Sequence, residues 1–358
     1  MAEQNTKTGV VSTAAAFGIV ALTIYALVIG EDILMPLVLA LFITYLIAAL
    51  GRRIQSRLKV GKRQMPDWLG LASAILVFLA VIAVVVQIVA GNIRAVVLAA
   101  PEYQMRLEAL FVEGTTFVAE LLRLKTTPTL DSITREIDVS SLVTRFAAAF
   151  QSIAASTFQV FAYAAFLLLE IRYFDRKLKA IWPDAGREQR IRGTLATMGR
   201  KIETYVLIKT GISLLNGVLS YVILRLFGVD FAAFWALLVF VLNFIPYIGS
   251  PLAMTFPSVL ALLQFNSWVV AGVVLGSLVA VQAFVENVIE PQITGKSLNL
   301  SPVVMILSLS VWGSIWGITG MILSVPMMVI IMIALAQFPK TRPIAVMMSA
   351  TGDVGEGL

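Results

Sequence analysis

Runs of about 20 apolar residues recur along the whole chain, separated by short polar segments. At about 1.5 Å per residue, a run of that length covers a bilayer core of about 30 Å. The pattern predicts eight membrane segments, at 10–29, 33–50, 69–91, 150–171, 203–227, 231–248, 267–289 and 302–335. The first, Val10 to Ile29, is too long for the apolar part of a leader and is followed by Glu31 and Asp32 rather than small residues, so it reads as a retained anchor. The expected fold class is therefore all-α: a polytopic membrane protein with about eight transmembrane helices.

The stretch 92–149 has a different period. Val96, Val97, Tyr103, Leu107, Leu110 and Phe111 fall at helical spacing, with acids and arginines on the remaining face. Thr126 to Pro128 reads as a turn, and Asp131 with Ser132 as a helix start. This predicts an amphipathic helical segment outside the membrane, either a cap on the membrane domain or an oligomerisation or gating element. Four regions result: three transmembrane helices in 1–91, the amphipathic segment 92–149, a transmembrane core in 150–340 with broken helices, and a tail at 341–358.

In the C-terminal half the apolar pattern is interrupted. "NFIPYIGSPLAMTFPSVLALLQ", from Asn243 to Gln264, carries Pro246, Pro251 and Pro257, each of which lacks a backbone donor. Pro251 to Leu263 is apolar but too short to cross, which predicts a re-entrant or half-length helix. Freed backbone at membrane depth is tolerated only where protein buries it or it lines a polar cavity. The break at Asn243, Pro246, Tyr247, Gly249 and Pro251 is accordingly a candidate site, with a proline kink made for packing as the competing explanation. Gly249 is the position expected to need a positive φ. The block Pro302 to Leu335 would be roughly 50 Å long as one helix. Gly313, Gly317, Gly320 and Pro326 interrupt it, either for close helix packing or as a second break.

Polar residues inside spans are costly, at about 2.5 kcal/mol or more for a charge at the bilayer centre. Gln282, Glu286 and Glu290 are spaced by four and share a helix face, with Asn287 beside it. Lys209, Ser213, Asn216 and Ser220 form a second polar stripe. Lys209 either pairs with Glu286 or Glu203, or reaches the interface. Glu290 could equally lie at the water surface, and Glu170 is expected there.

Composition adds exclusions. There is no Cys and no His, which removes thiolate chemistry, disulfides and the commonest general base and metal ligand. No enzyme activity, cofactor or metal is expected. The mean hydropathy is +0.91 with 13% charged residues, far from a soluble domain. The net charge of +6 follows from loop charges. The loop before Trp68 carries six Lys/Arg and one acid, and Arg172 to Lys201 carries nine against three. These place both loops and both termini in the cytoplasm and 92–149 outside. Nucleic acid is not an expected partner; the lipid bilayer is.

"ILMPLVLALFITYLIAAL", "NFIPYIGSPLA" and "VENVIEPQITGKSLNLSPVVMILSLSVWGSIWGITGMILSVPMM" resemble signature blocks of the autoinducer-2 exporter family, also called the PerM-like permeases. The resemblance covers nearly the whole chain. It implies a bacterial inner-membrane exporter of small molecules, a homopentamer, and elevator-like alternating access in each protomer. Family members are credited with export of autoinducer-2, the quorum-sensing signal, or with exchange of sodium or lithium for protons. A neutral hydroxylated substrate, a monovalent cation and a non-transporting scaffold all remain open on the residues alone.

Overall fold

A computed structural model describes residues 18–57, 59–60, 63–64, 66–121, 139–294 and 299–354. The helices are α1 (Gly18–Ile29), α2 (Glu31–Arg57), α3 (Asp67–Leu121), α4 (Val139–Ile181), α5 (Ala185–Leu226), α6 (Ala232–Leu242), α7 (Gly249–Phe265), α8 (Trp268–Phe284), α9 (Glu290–Thr294), α10 (Pro302–Ala336) and α11 (Arg342–Met348). A π-helical turn, Val285–Ile289, joins α8 to α9. The one ladder among the described residues pairs β1 (Lys59–Val60) antiparallel with β2 (Arg63–Gln64). The chain is an all-α membrane protein with broken helices in its C-terminal half.

Five described helices are long and apolar enough to cross a membrane, or six if Thr157–Glu170 and Tyr173–Ile181, bent by 69°, count as one span. The expected eight are not reached, for a physical reason. α6, in place of the expected span 231–248, has 11 residues, about 16 Å and short of the ~30 Å core, while α7, with 17 residues, is the half-length helix expected after the break. Residues 10–17 of the first expected span lie outside the described residues. α3 runs 55 residues without interruption, about 80 Å. Residues 92–121 are helical and continue directly from the apolar stretch that ends at Asn92. The turn expected at Thr126 to Pro128 and the helix start at Asp131 fall outside the described residues.

The chain divides into two compact units. One comprises Met1–Ala49, Ser156–Glu203 and Leu298–Leu358; the other comprises Leu50–Ala155 and Thr204–Ser297. The first unit is built on α10. Its Phe42, Trp312, Ile315, Trp316 and Leu323 are buried together, with Leu34, Met35 and Val38 of α2 packed around them. α10 is not one helix: Trp316 (φ −128, ψ 22) and Gly317 (φ 58, ψ −141) leave helical space. A Cβ at Gly320 would fall 1.9 Å from the Trp312 carbonyl oxygen. The chain thus folds back on itself there, and Gly320 is required by contact, not conformation. The Trp316 indole N–H donates to the Leu27 carbonyl at 3.1 Å, fixing α1 to this break.

The second unit packs α6, α7 and α8 against α3 and the end of α5. Tyr103, Leu224, Val229, Leu260, Val274 and Leu278 form its core. α5 ends in a Schellman turn. Gly228 (φ +69) occupies the left-handed position, its N–H bonds to the Arg225 carbonyl at 3.1 Å, and the Val229 N–H bonds to Leu224 at 2.8 Å. Val229 and Leu224 then pack together in the core, the apolar contact that usually seals such a turn. α7 ends at Asn266, in left-handed conformation (φ 46). Arg106 of α3 donates to the Leu263 carbonyl at 3.0 Å and to that of Gln264, supplying partners the helix end lacks.

Candidate functional site

The break between α6 and α7 is built to keep its backbone satisfied. Asn243 closes α6 with its N–H on Val239, and Phe244 and Ile245 follow with tighter bonds to Val241 and Leu242. Ile248 donates to Pro246 at 2.7 Å and Gly249 to Ile245 at 3.1 Å, while Pro246 has no N–H to place. The positive φ expected at Gly249 belongs instead to Tyr247 (φ 62). Gly249 has a different reason to be glycine: a Cβ would fall 1.7 Å from the Leu242 carbonyl oxygen. Pro251 stands in the first turn of α7, where no intrahelical donor is needed, so it leaves no bond unmade.

This turn delivers the Asn243 side chain, 2% exposed, into a polar cluster. Its Nδ2 donates to Ser213 Oγ at 2.9 Å. Its Oδ1 faces Asn216 Nδ2 at 3.5 Å, Ser250 Oγ at 3.3 Å and Gln282 Nε2 at 3.2 Å. Gln282 Nε2 also meets Ser250 Oγ at 2.6 Å and Glu286 Oε1 at 2.5 Å, and Ser250 Oγ reaches that same carboxylate oxygen at 2.9 Å. Ser213, Asn216, Asn243, Ser250 and Gln282 are all buried, whereas Glu286 is exposed at the edge of the cluster.

Donor counting shows what such a cluster can do. The two amide hydrogens of Gln282 face three acceptors, and the single hydroxyl hydrogen of Ser250 faces two. Asn216 Oδ1 is buried with no partner among the described residues. Turning that amide over would bring its oxygen against Asn243 Oδ1, so the orientation is set by the network and the orphan is real. An unmet buried acceptor costs on the order of 1–3 kcal/mol. The cluster is thus over-supplied with acceptors and can re-pair with an incoming donor.

The second polar contact is Lys209 Nζ with Glu290 Oε1 at 3.3 Å. Glu290 is the partner, in place of the expected Glu286 or Glu203. The π turn bears on this: the Glu290 N–H bonds five residues back to Val285, which changes the angle at which Glu290 leaves the helix relative to Glu286. Asn287 does not join either group. It is exposed and caps its own helix through Ala283 at 2.8 Å. Tyr247 and Pro251 are likewise exposed. Glu170 pairs with Lys177 on an exposed surface. Ser250 and the π turn escaped sequence reasoning; a hydroxyl immediately after the break, seven residues beyond Asn243, was the one available signal for the former.

The sequence model of the AI-2E family transporter matches residues 17–340, nearly the whole length. The chain belongs to the AI-2E family of transporters. Among relatives, the AI-2 transport protein TqsA of Escherichia coli K12 is 28% identical over 89% of this chain and 90% of its own. A Haemophilus influenzae protein, named as a candidate transport protein, is 28% identical over 91% of this chain and 92% of its own. A Borreliella burgdorferi protein with the same designation is 40% identical over 174 residues, so the chain spans about half the length of that relative. An AI-2E transporter is a membrane transport protein, and the polar cluster lies within the matched region.

Proposed function

We propose that this AI-2E transporter exports a small, neutral, hydroxylated molecule, of which autoinducer-2 is one example, through the cluster around Asn243. The observation that carries this reading is the buried set of amides and hydroxyls with more acceptors than donors, closed by the orphaned Asn216 Oδ1. A hydroxyl-rich ligand supplies the donors such a site lacks, and broken helices are where transporters commonly build such sites. The name of TqsA supports the signal molecule as substrate.

Exchange of Na⁺ or Li⁺ for protons is the second reading, favoured by the carboxylate of Glu286 at the exposed edge of the cluster. The donors of Gln282 and Ser250 already face Glu286, which weighs toward the neutral substrate. A scaffold without transport would gain little from buried polar groups.

Cytoplasmic termini and an outer placing of 92–149 rest on loop charge, and the bacterial inner membrane on family membership. A homopentamer with elevator-like movement rests on family membership. Sealed vesicles containing the purified protein test the reading. Uptake of labelled autoinducer-2, competed by other small polyols and indifferent to sodium, is the expected result. A sodium-driven pH change without autoinducer-2 flux would replace it with the antiport reading.

A further inference from the structure

A groove of about 680 Å³ runs between α3, α5 and α6 in the second unit. Its walls are aliphatic and aromatic, including Val77, Val84 and Ile88 of α3, Leu214 and Val218 of α5, and Phe240 of α6. From Val77 to Ile88 the α3 wall rises about 16 Å, close to half of a ~30 Å hydrocarbon core, which is the depth of one leaflet. The groove adjoins a smaller polar pocket of about 280 Å³, with Tyr221 and Ala233 in both walls.

That pocket lies at the water-facing end of two spans. Asn92 is the last residue of the apolar stretch of α3, and Arg225 stands in the last turn of α5. It is lined by one cation and one acid, Arg225 and Asp230, which do not pair with each other among the described residues. Arg225 has no acceptor among the described residues. Asp230 receives the Tyr103 hydroxyl on Oδ2 at 2.6 Å, which leaves Oδ1 open among the described residues. Asn92 spends one amide hydrogen on Ile88 at 2.6 Å and keeps the other. Tyr221, exposed beside both cavities, has the amphipathic ring favoured at the headgroup level.

We infer that this surface holds one zwitterionic aminophospholipid from the leaflet on the side of residues 92–121. Its acyl chain lies in the α3–α5–α6 groove, its phosphate faces Arg225 and Asn92, and its primary ammonium faces Asp230. The opposite charges at the end of an apolar groove one leaflet deep select that occupant. An anionic headgroup would leave Asp230 unmatched and repelled, and a trimethylated ammonium could not donate a hydrogen bond to it. The site is separate from the amide cluster and does not depend on what is transported.

The test is lipid retention by the full-length protein. Delipidated protein would be titrated with dioleoyl phosphatidylethanolamine, phosphatidylcholine or phosphatidylglycerol and the adducts counted by native mass spectrometry. The ethanolamine lipid should bind one equivalent about tenfold more tightly than the other two, the size of one charged hydrogen bond. Arg225→Gln, at an exposed residue unpaired among the described ones, should weaken binding of all three lipids about tenfold, because each carries the phosphate, while leaving the melting temperature unchanged. Val84→Trp should lower the one-equivalent binding by filling the groove. Equal retention of the three lipids, a preference for phosphatidylglycerol, or binding untouched by both substitutions would overturn the assignment.

Discussion

Lys209 reaches Glu290 at 3.3 Å across 81 residues of sequence, and among the described residues Glu286 is met by amide and hydroxyl donors instead. The two carboxylates, one turn apart in sequence, are thereby given separate duties. Glu290 is neutralised by a cation that is only 10% exposed along its side chain. Glu286 forms the accessible edge of the amide cluster.

Glu286→Gln should lower transport at least tenfold while assembled protein and melting temperature stay near normal. Gln keeps an oxygen for Gln282 and Ser250, and the site is open enough to tolerate the change. Vesicle flux per folded protomer is the measurement. Normal flux per protomer with a falling yield would make Glu286 a structural residue.

Lys209→Met should destabilise the protein by about 1–3 kcal/mol. Removing one partner of a buried pair costs more than that, but Glu290 is partly exposed and water offsets some of the loss. The double variant Lys209→Met/Glu290→Gln should recover most of the melting temperature. A double variant no more stable than Lys209→Met alone would show that the lysine acts through some other contact.

Gly249→Ala and Gly317→Ala separate two reasons for a glycine. The first meets the Leu242 carbonyl at 1.7 Å, so the hairpin must open and folding should fail or transport collapse. The second has open space around it and pays only for its backbone angles (φ 58, ψ −141), about 1–3 kcal/mol. Tyr247→Gly should be tolerated, since it relieves the left-handed residue of the break. Thermal melts of the three variants check the order; a Gly249→Ala protein as stable as the parent would refute the close contact.

Tyr103, in the part of α3 beyond its apolar stretch, has its phenol pushed well above the ordinary tyrosine value by burial and then by its bond to Asp230. A raised folded value means the neutral phenol is the stabilising form. Its contribution is fully present below about pH 10, the unfolded value, and is lost as pH rises beyond it. Tyr103→Phe should therefore melt at lower temperature at neutral pH and show a shallower alkaline decline than the parent. Parallel pH–stability curves for the two proteins would exclude the phenol as the cause.

Much of this arrangement was legible in the sequence because the forces behind it are local. Apolar run length sets what can cross a bilayer, and prolines with glycine mark where a helix must stop. Lys209, Ser213 and Asn216 are spaced by helical turns, so their common face followed from periodicity alone, as did that of Gln282, Glu286 and Glu290. The break at Asn243 was visible for the same reason.

What the tertiary structure decided was pairing, which no local rule contains. The choice of Glu290 over Glu286 for Lys209 depends on a π turn, one extra residue in a helical loop that leaves no compositional mark. Gly249 owes its identity to the carbonyl of Leu242 and Gly320 to that of Trp312, contacts that exist only after the chain has folded back. Ser250 became part of the cluster because the turn carries it to Gln282 on α8, 32 residues away. Spacing determines which residues share a face; the packing of one face on another determines which of them meet.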